Sequence, residues 1–190
     1  MTHSAPPAAR LPRSGPFNWK RQAPSGLLRV MVVVLADTHT LGSTRPLPPG
    51  TWPYIESADH ILHAGDVCDP VLLDELASFA PVTVVLGNCD GYDVKHWGAQ
   101  TEARLQLGRV GIGMVHDSGS ARGRRQRLRA RFPEARAVVY GHSHLPCNED
   151  EDGLLLLNPG SPTWVRRAPW PSMALLWIDA EQVEAEVIPV

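Results

Sequence analysis

From Leu27 onward, short apolar runs alternate with turn residues and helical segments, a pattern that predicts strands alternating with helices. Leu28 to Ala36, His60 to Ala64, Val82 to Leu86, Val110 to Val115 and Ala137 to Tyr140 read as buried strands. Residues 70 to 79 and 120 to 131 read as helices, with Pro70 suited to a first helical turn. Beyond residue 152 the runs LLLLN, MALLWID and VEAEVIPV leave little room for helices and predict three strands joined by turns. Those three are expected to build a second, mostly antiparallel sheet packed on the first. Residues 1 to 28, rich in Pro, Ala, Ser and Arg, show neither period and read as a disordered tail, or as the product of a start codon assigned upstream of Met31. No internal repeat is visible.

Composition adds three exclusions. Hydrophobic residues make up 43% of the 190, yet no apolar run approaches the roughly 20 residues that span a bilayer, so a membrane is not an expected partner. Cys68, Cys89 and Cys147 match neither a zinc ribbon nor a CxxC pair, and the first residues lack the apolar core of a secretory signal; the expected location is the cytoplasm. Five of the 18 basic residues stand in the first 30 positions, where no acid occurs, so the rest of the chain is distinctly acidic and long nucleic acid is disfavoured. Arg122, Arg124, Arg125, Arg127, Arg129 and Arg131 crowd one short helix, which reads as a solvated face.

The chemistry lies where the apolar runs stop. Each of the five early runs ends in residues able to bind a metal: Asp37 and His39, Asp66, Asn88, His116, then His142 and His144. Ligands gather beyond the carboxyl ends of strands in α/β sheets, so these seven are expected to converge. In Asp37-x-His39 and His142-x-His144 an extended backbone would point both side chains the same way. Gly65, Gly87 and Gly141 each precede one of the seven, fitting sharp turns or close approach. Polar groups buried without partners cost free energy, so so many at successive strand ends point to a bound charge.

Asp37-Thr38-His39, Gly65-Asp66, Gly87-Asn88-Cys89-Asp90, His116 and Gly141-His142-Ser143-His144 together resemble the calcineurin-like metallophosphoesterases, over about residues 29 to 189. Chain size, Cys89 and Asn158-Pro159-Gly160-Ser161 further resemble the small phosphodiesterases of the YfcE type. The resemblance implies a four-layer α/β/β/α sandwich of two mixed sheets flanked by helices. It implies one divalent ion held by Asp37, His39, Asp66 and His144 and a second held by Asp66, Asn88, His116 and His142. Such ligands suit manganese, iron, zinc, cobalt or nickel better than calcium or magnesium, with manganese the first choice. A hydroxide bridging two such ions would attack the phosphorus of a small phosphodiester. Asp66, Asn88, Cys89 and His116 are the expected catalytic residues.

Cys89 stands where many members of the family have His, and a thiol is the poorer acid near neutral pH. It implies either substrates with good leaving groups or an acid supplied elsewhere, for which His96 is a candidate; the alternative is a small buried filler. Asp90 and Asp117 are expected to orient ligands or cap turns, and His60 and His63 to be structural. Tyr92, Trp97 and Trp164 could stack on a substrate ring or pack. The expected partner is a small phosphodiester, with a homo-oligomer left open. The competing functions are a monoesterase or nucleoside-polyphosphate hydrolase and a non-catalytic scaffold of the same fold, whose mark would be missing ligands.

Overall fold

The computed structural model describes residues 29–41 and 46–190; the tail read over residues 1 to 28 lies outside them. Five strands form a first sheet in the order β10-β9-β1-β2-β3: β1 (Val30–Leu35), β2 (His60–His63), β3 (Val82–Val84), β9 (Ser172–Asp179) and β10 (Gln182–Pro189). A second sheet runs β4-β5-β6-β8-β7, from β4 (Glu102–Leu107), β5 (Val110–Val115), β6 (Ala137–Val139), β7 (Cys147–Glu151) and β8 (Leu154–Asn158). Both are mixed, with β1, β2 and β3 parallel in one and β5, β6 and β8 parallel in the other.

Period-two alternation decides which side chain enters which layer. Val32 and Val34 of β1, Ala174 and Leu176 of β9, Ile112 and Met114 of β5, and Leu155 and Leu157 of β8 meet between the sheets. The opposite faces of β1 and β9, through Val33, Leu35, Met173 and Leu175, pack with Leu72, Leu73 and Leu76 of α2 (Pro70–Ala77) and with Val94 of α3 (Tyr92–Trp97). On the other outer face Val138, Leu154 and Leu156 meet Leu128 of α4 (Arg124–Arg131) and Phe132. Helix, sheet, sheet, helix is the four-layer sandwich. Each fully buried aliphatic side chain contributes roughly 1.5–3 kcal/mol relative to exposure. Helix α2 starts cleanly, since the Asp69 carboxylate accepts the Val71 N–H at 3.0 Å and Pro70 needs no partner for a missing one.

One expectation about topology fails. The last three strands do not make a sheet of their own: β8 pairs with β6, while β9 inserts beside β1 and β10 follows it. The first sheet is closed by the final hairpin because β1, buried on both faces, needs a hydrogen-bonded neighbour on each edge, and β2 supplies only one. Strands β4 and β7 and helices α1 (Trp52–Ile55) and α3 were not anticipated. The arginine-rich segment is helical only from Arg124.

Candidate metal centre

The parallel strands of both sheets run out at one end of the sandwich, and their following loops carry the seven residues. The backbone there is not extended. Asp37 and His39 have φ of 54° and 43°, and His142 and His144 have φ of 70° and 57°. Each pair is therefore aligned by two left-handed residues flanking one ordinary one, not by strand alternation. Asp66 and Cys68 repeat the device with φ of 57° and 72°. Non-glycine residues in this region cost of order 1–3 kcal/mol each and persist only where surroundings fix them.

Those surroundings are visible. Asp90 accepts three backbone N–H groups, from Asp66 at 2.9 Å, Gly87 at 2.8 Å and Cys68 at 2.8 Å, which ties the β2 and β3 loops into one knot. It positions the loops through their backbone. Buried His63 accepts the Gly65 N–H at Nδ1, so its neutral ring carries a proton on Nε2 and donates to Thr38 Oγ1 at 3.0 Å. Asn158 Nδ2 donates to Gly141 O and Ser143 Oγ, and Ser161 Oγ donates to Asp37 O at 2.7 Å. The glycines serve close approach: a Cβ at Gly87 would fall on Asp66 Oδ1, and one at Gly141 would stand 2.9 Å from Asp37 Oδ2. Gly65 has in addition a φ of 91°.

Within this frame the ring nitrogens and carboxylate oxygens of the seven crowd together. His144 gives its Nδ1 proton to Trp164 O, which leaves Nε2 as an acceptor aimed at His39 Nε2 and Asp37 Oδ1, each 3.3 Å away. His116 gives its Nδ1 proton to Ala64 O at 2.7 Å, and its Nε2 lies 3.1 Å from Asn88 Oδ1. His142 Nδ1 reaches the same Asn88 oxygen at 2.9 Å. Between the two sets, Asp66 Oδ2 stands 3.5 Å from His39 Nε2 and 3.5 Å from His116 Nε2, while its other oxygen accepts the Cys89 N–H at 2.8 Å. Asp37 Oδ2 is buried without a hydrogen-bond partner. Convergent acceptors around an orphaned carboxylate oxygen fit divalent cations, and Asp37, His39 and His144, like Asp37, Asp66 and His116, offer ligand atoms within 4.8 Å of one another.

The electrostatics carry the same mark. Burial pushes the Asp37 carboxyl up to about 7, with His116 and the His142 N–H pulling only partly against it. Burial also acts to raise Asp66, but hydrogen bonds from His116 and the Cys89 N–H prevail and hold it well below the usual carboxylate range. His116 is lifted by Asp66 and Ala64 despite its burial, whereas burial drives His144 down to about 4. A neutral His144 is the form that ligates.

Other expected residues divide. Cys89 is exposed at the mouth of the cluster, which rules out the buried filler. Its thiol receives the Asn88 amide at 3.3 Å, and burial and Asp66 raise its pKa. Cys68, given no site role by the sequence, sits 3.6 Å from His39 Nδ1, its thiol pushed up to about 12 by burial. Asp117 accepts the Gly119 N–H of its own turn. His96 stacks on Tyr92 at 5.7 Å, and His60 bonds Thr83. Trp97 is no platform for a substrate: it half-buries and donates to Asp74 of α2. Trp164 does belong to the site, its ring 4.9 Å from that of His39 and 5.9 Å from that of His144. The arginines of α4 are not simply solvated, since Arg125, Arg127 and Arg129 donate to backbone carbonyls of neighbouring loops. Asn158, Ser161, Thr163 and His63 position the loops without any sequence signal beyond the Asn-Pro-Gly-Ser resemblance.

The chain matches the model of the calcineurin-like phosphoesterase superfamily domain over residues 30–181. It is 36% identical over 163 residues to a probable metallophosphoesterase of Methanothermobacter thermautotrophicus, covering 84% of this chain and 92% of that one. Among solved structures, the vacuolar protein sorting 29 protein of Cryptosporidium parvum superposes with a TM-score of 0.70 at 20% identity, over 85% of this chain and 99% of its own. A structurally and functionally characterised archaeal phosphodiesterase superposes with a TM-score of 0.62 at 18% identity, over 84% of this chain and all (100%) of its own. At those identities the two structures show the shared fold. The family match over most of the chain, the curated relative and the sandwich agree: the chain belongs to the calcineurin-like phosphoesterase superfamily, whose members use divalent metals.

Proposed function

We propose that the protein is a metal-dependent phosphodiesterase acting on small phosphodiesters, with Asp37, His39, Asp66 and His144 holding one divalent ion and Asp66, Asn88, His116 and His142 a second. The observation that carries the two-ion reading is Asp66 Oδ2, equidistant at 3.5 Å from a histidine of each set. When bound, the ions supply electrophilic stabilisation of the phosphoryl oxygens and acidify a water enough to attack at neutral pH. The chain's own residues arrange the rest. Nδ1 bonds to Ala64 and Trp164 keep the acceptor nitrogens of His116 and His144 turned inward. The Cys89 N–H keeps Asp66 ionised and oriented. Two divalent charges against the carboxylates of Asp37 and Asp66 leave a cationic cleft, matched by a phosphodiester anion. The exposed Cys89 thiol is a weak acid, so esters with good leaving groups are favoured. Manganese is the first metal to try.

The test is hydrolysis of aryl and nucleotide diesters, monoesters and nucleoside polyphosphates by chelator-stripped protein given Mn, Zn, Ni or Mg separately. Diester turnover should exceed monoester turnover. Asp66→Ala and His142→Ala should each lower it at least about 100-fold with the melting profile of a folded protein retained. Undiminished activity in either variant would overturn the ligand assignment, and preferential monoester turnover would overturn the substrate class.

A further inference from the structure

The segment joining β8 to β9 is fastened to the cluster and then offers it a cation that neither ligand set uses. Ser161 Oγ donates to Asp37 O, Thr163 Oγ1 donates to Thr38 O, and the Trp164 N–H donates to Ser161 Oγ at 2.8 Å. Trp164 O in turn accepts from His144. The residue, 45% exposed, is thus anchored by its backbone while its ring stands beside His39 and His144. Two residues on, Arg166 adopts φ of 48°, a left-handed backbone that an arginine enters only at a cost. That turn brings its guanidinium back over the indole, 5.4 Å from the ring centroid, with Nη1 3.4 Å from the His142 carbonyl. Among the described residues no carboxylate pairs with the guanidinium. An exposed cation held in a strained backbone, stacked on an exposed aromatic at the lip of an anion-binding cleft, is a recognition device looking for an anion.

We propose that Arg166 and Trp164 form a substrate subsite that takes a nucleotide bearing a second phosphate beside the ester under attack. The guanidinium fork engages the second phosphate, and the indole receives the base. Guanidinium matches phosphate oxygens in a bidentate way that an ammonium does not, and every base has a face to stack. A second charge is called for because Arg166, held by the His142 carbonyl and the Trp164 ring, is not among the seven residues that would face the scissile phosphorus. The subsite rests on the phosphodiesterase reading above. The second phosphate can be an ester at the end of a short oligonucleotide or an anhydride in a nucleoside diphosphate ester.

Both sources enter one experiment on the full chain loaded with manganese. The kcat and KM of wild type, Arg166→Gln and Arg166→Lys are measured on a dinucleoside monophosphate, the same compound with a 5′-terminal phosphate, and a nucleoside diphosphate ester. Arg166→Gln should lose at least tenfold more kcat/KM on one of the two doubly charged substrates than on the first, chiefly through KM, with Arg166→Lys recovering part. Whichever doubly charged substrate shows the loss identifies the source. Calorimetric titration with a non-hydrolysable nucleoside diphosphate should give a dissociation constant at least fivefold weaker in Arg166→Gln and in Trp164→Ala. Arginine-dependent binding without any ester turnover would reject the phosphodiesterase reading and keep the subsite. Equal losses on all three substrates, unchanged binding, or metal content reduced in Arg166→Gln would each overturn the subsite.

Discussion

His63 carries no ligand role, yet it sits beneath the residues that do. Burial lowers its pKa to about 4 from an ordinary value of 6.5. Between those values the unfolded chain binds the proton and the folded one does not, so stability rises with pH through the window and is lost as pH falls through it. His144, lowered to about 4, adds the same slope, while Asp37, raised to about 7, opposes it because its protonated form is favoured in the fold. His63 is isolated by difference. With chelator present, wild type should lose up to about 3 kcal/mol more stability than His63→Gln between pH 7 and pH 4 in denaturant titrations. Parallel losses would mean that the ring is not buried neutral. The residue scale is also where the sequence was most legible. All seven strand-end residues come together because each belongs to a short motif next to an apolar run. The left-handed pairs were not legible, since Asp and His only lean toward αL geometry and the surroundings that enforce it, Asp90 above all, act from other loops.

Strand β7 shows why some elements could not be read. Cys147–Glu151 holds four charged or polar residues in five, and all but Cys147 are exposed, so no apolar alternation exists to betray it. It is a strand because β8 offers it an edge and α4 holds it there. Arg125 donates to the carbonyls of Leu154 at 2.6 Å, Glu151 at 2.9 Å and Glu149 at 3.3 Å, and Arg136 forms a paired contact with Asp150. The helix and the strand explain each other only in three dimensions. Arg125→Ala should cost roughly 1–3 kcal/mol, since it leaves carbonyls short of a charged donor. Hydrogen exchange should locate the loss, with β7 amides opening faster and those of β5 and β6 unchanged; uniform protection across the sheet would show the arginine to be dispensable. Strand β4 was readable in principle, as Ala103, Leu105 and Leu107 alternate toward the core between polar residues.

For the whole molecule, the metal-free protein holds the buried carboxylates of Asp37 and Asp66 among converging ring nitrogens, an arrangement that divalent cations would stabilise. Binding should therefore couple to global stability. At a metal concentration about 100 times the dissociation constant the gain is roughly 2.7 kcal/mol, or about 5–10 °C in Tm for a chain of this size. Calorimetric scans of stripped protein with and without manganese or zinc should show that rise and its reversal by chelator, whereas an unchanged Tm would argue that the cluster is satisfied without an ion. The sequence named the sandwich through its family motifs but mistook the partnership of the last strands, because a strand's own pattern says which face is buried and not which neighbour it meets. That partnership has a consequence in time. Val30 pairs with Ile178, so β1, which leads into the Asp37 loop, acquires its second neighbour only after β9 has been made. A ribosome releasing this protein N-terminus first would deliver β1, β2 and β3 well before β9, leaving β1 with an open, apolar edge in the meantime. Capture of that edge by another chain is the hazard that the final hairpin removes.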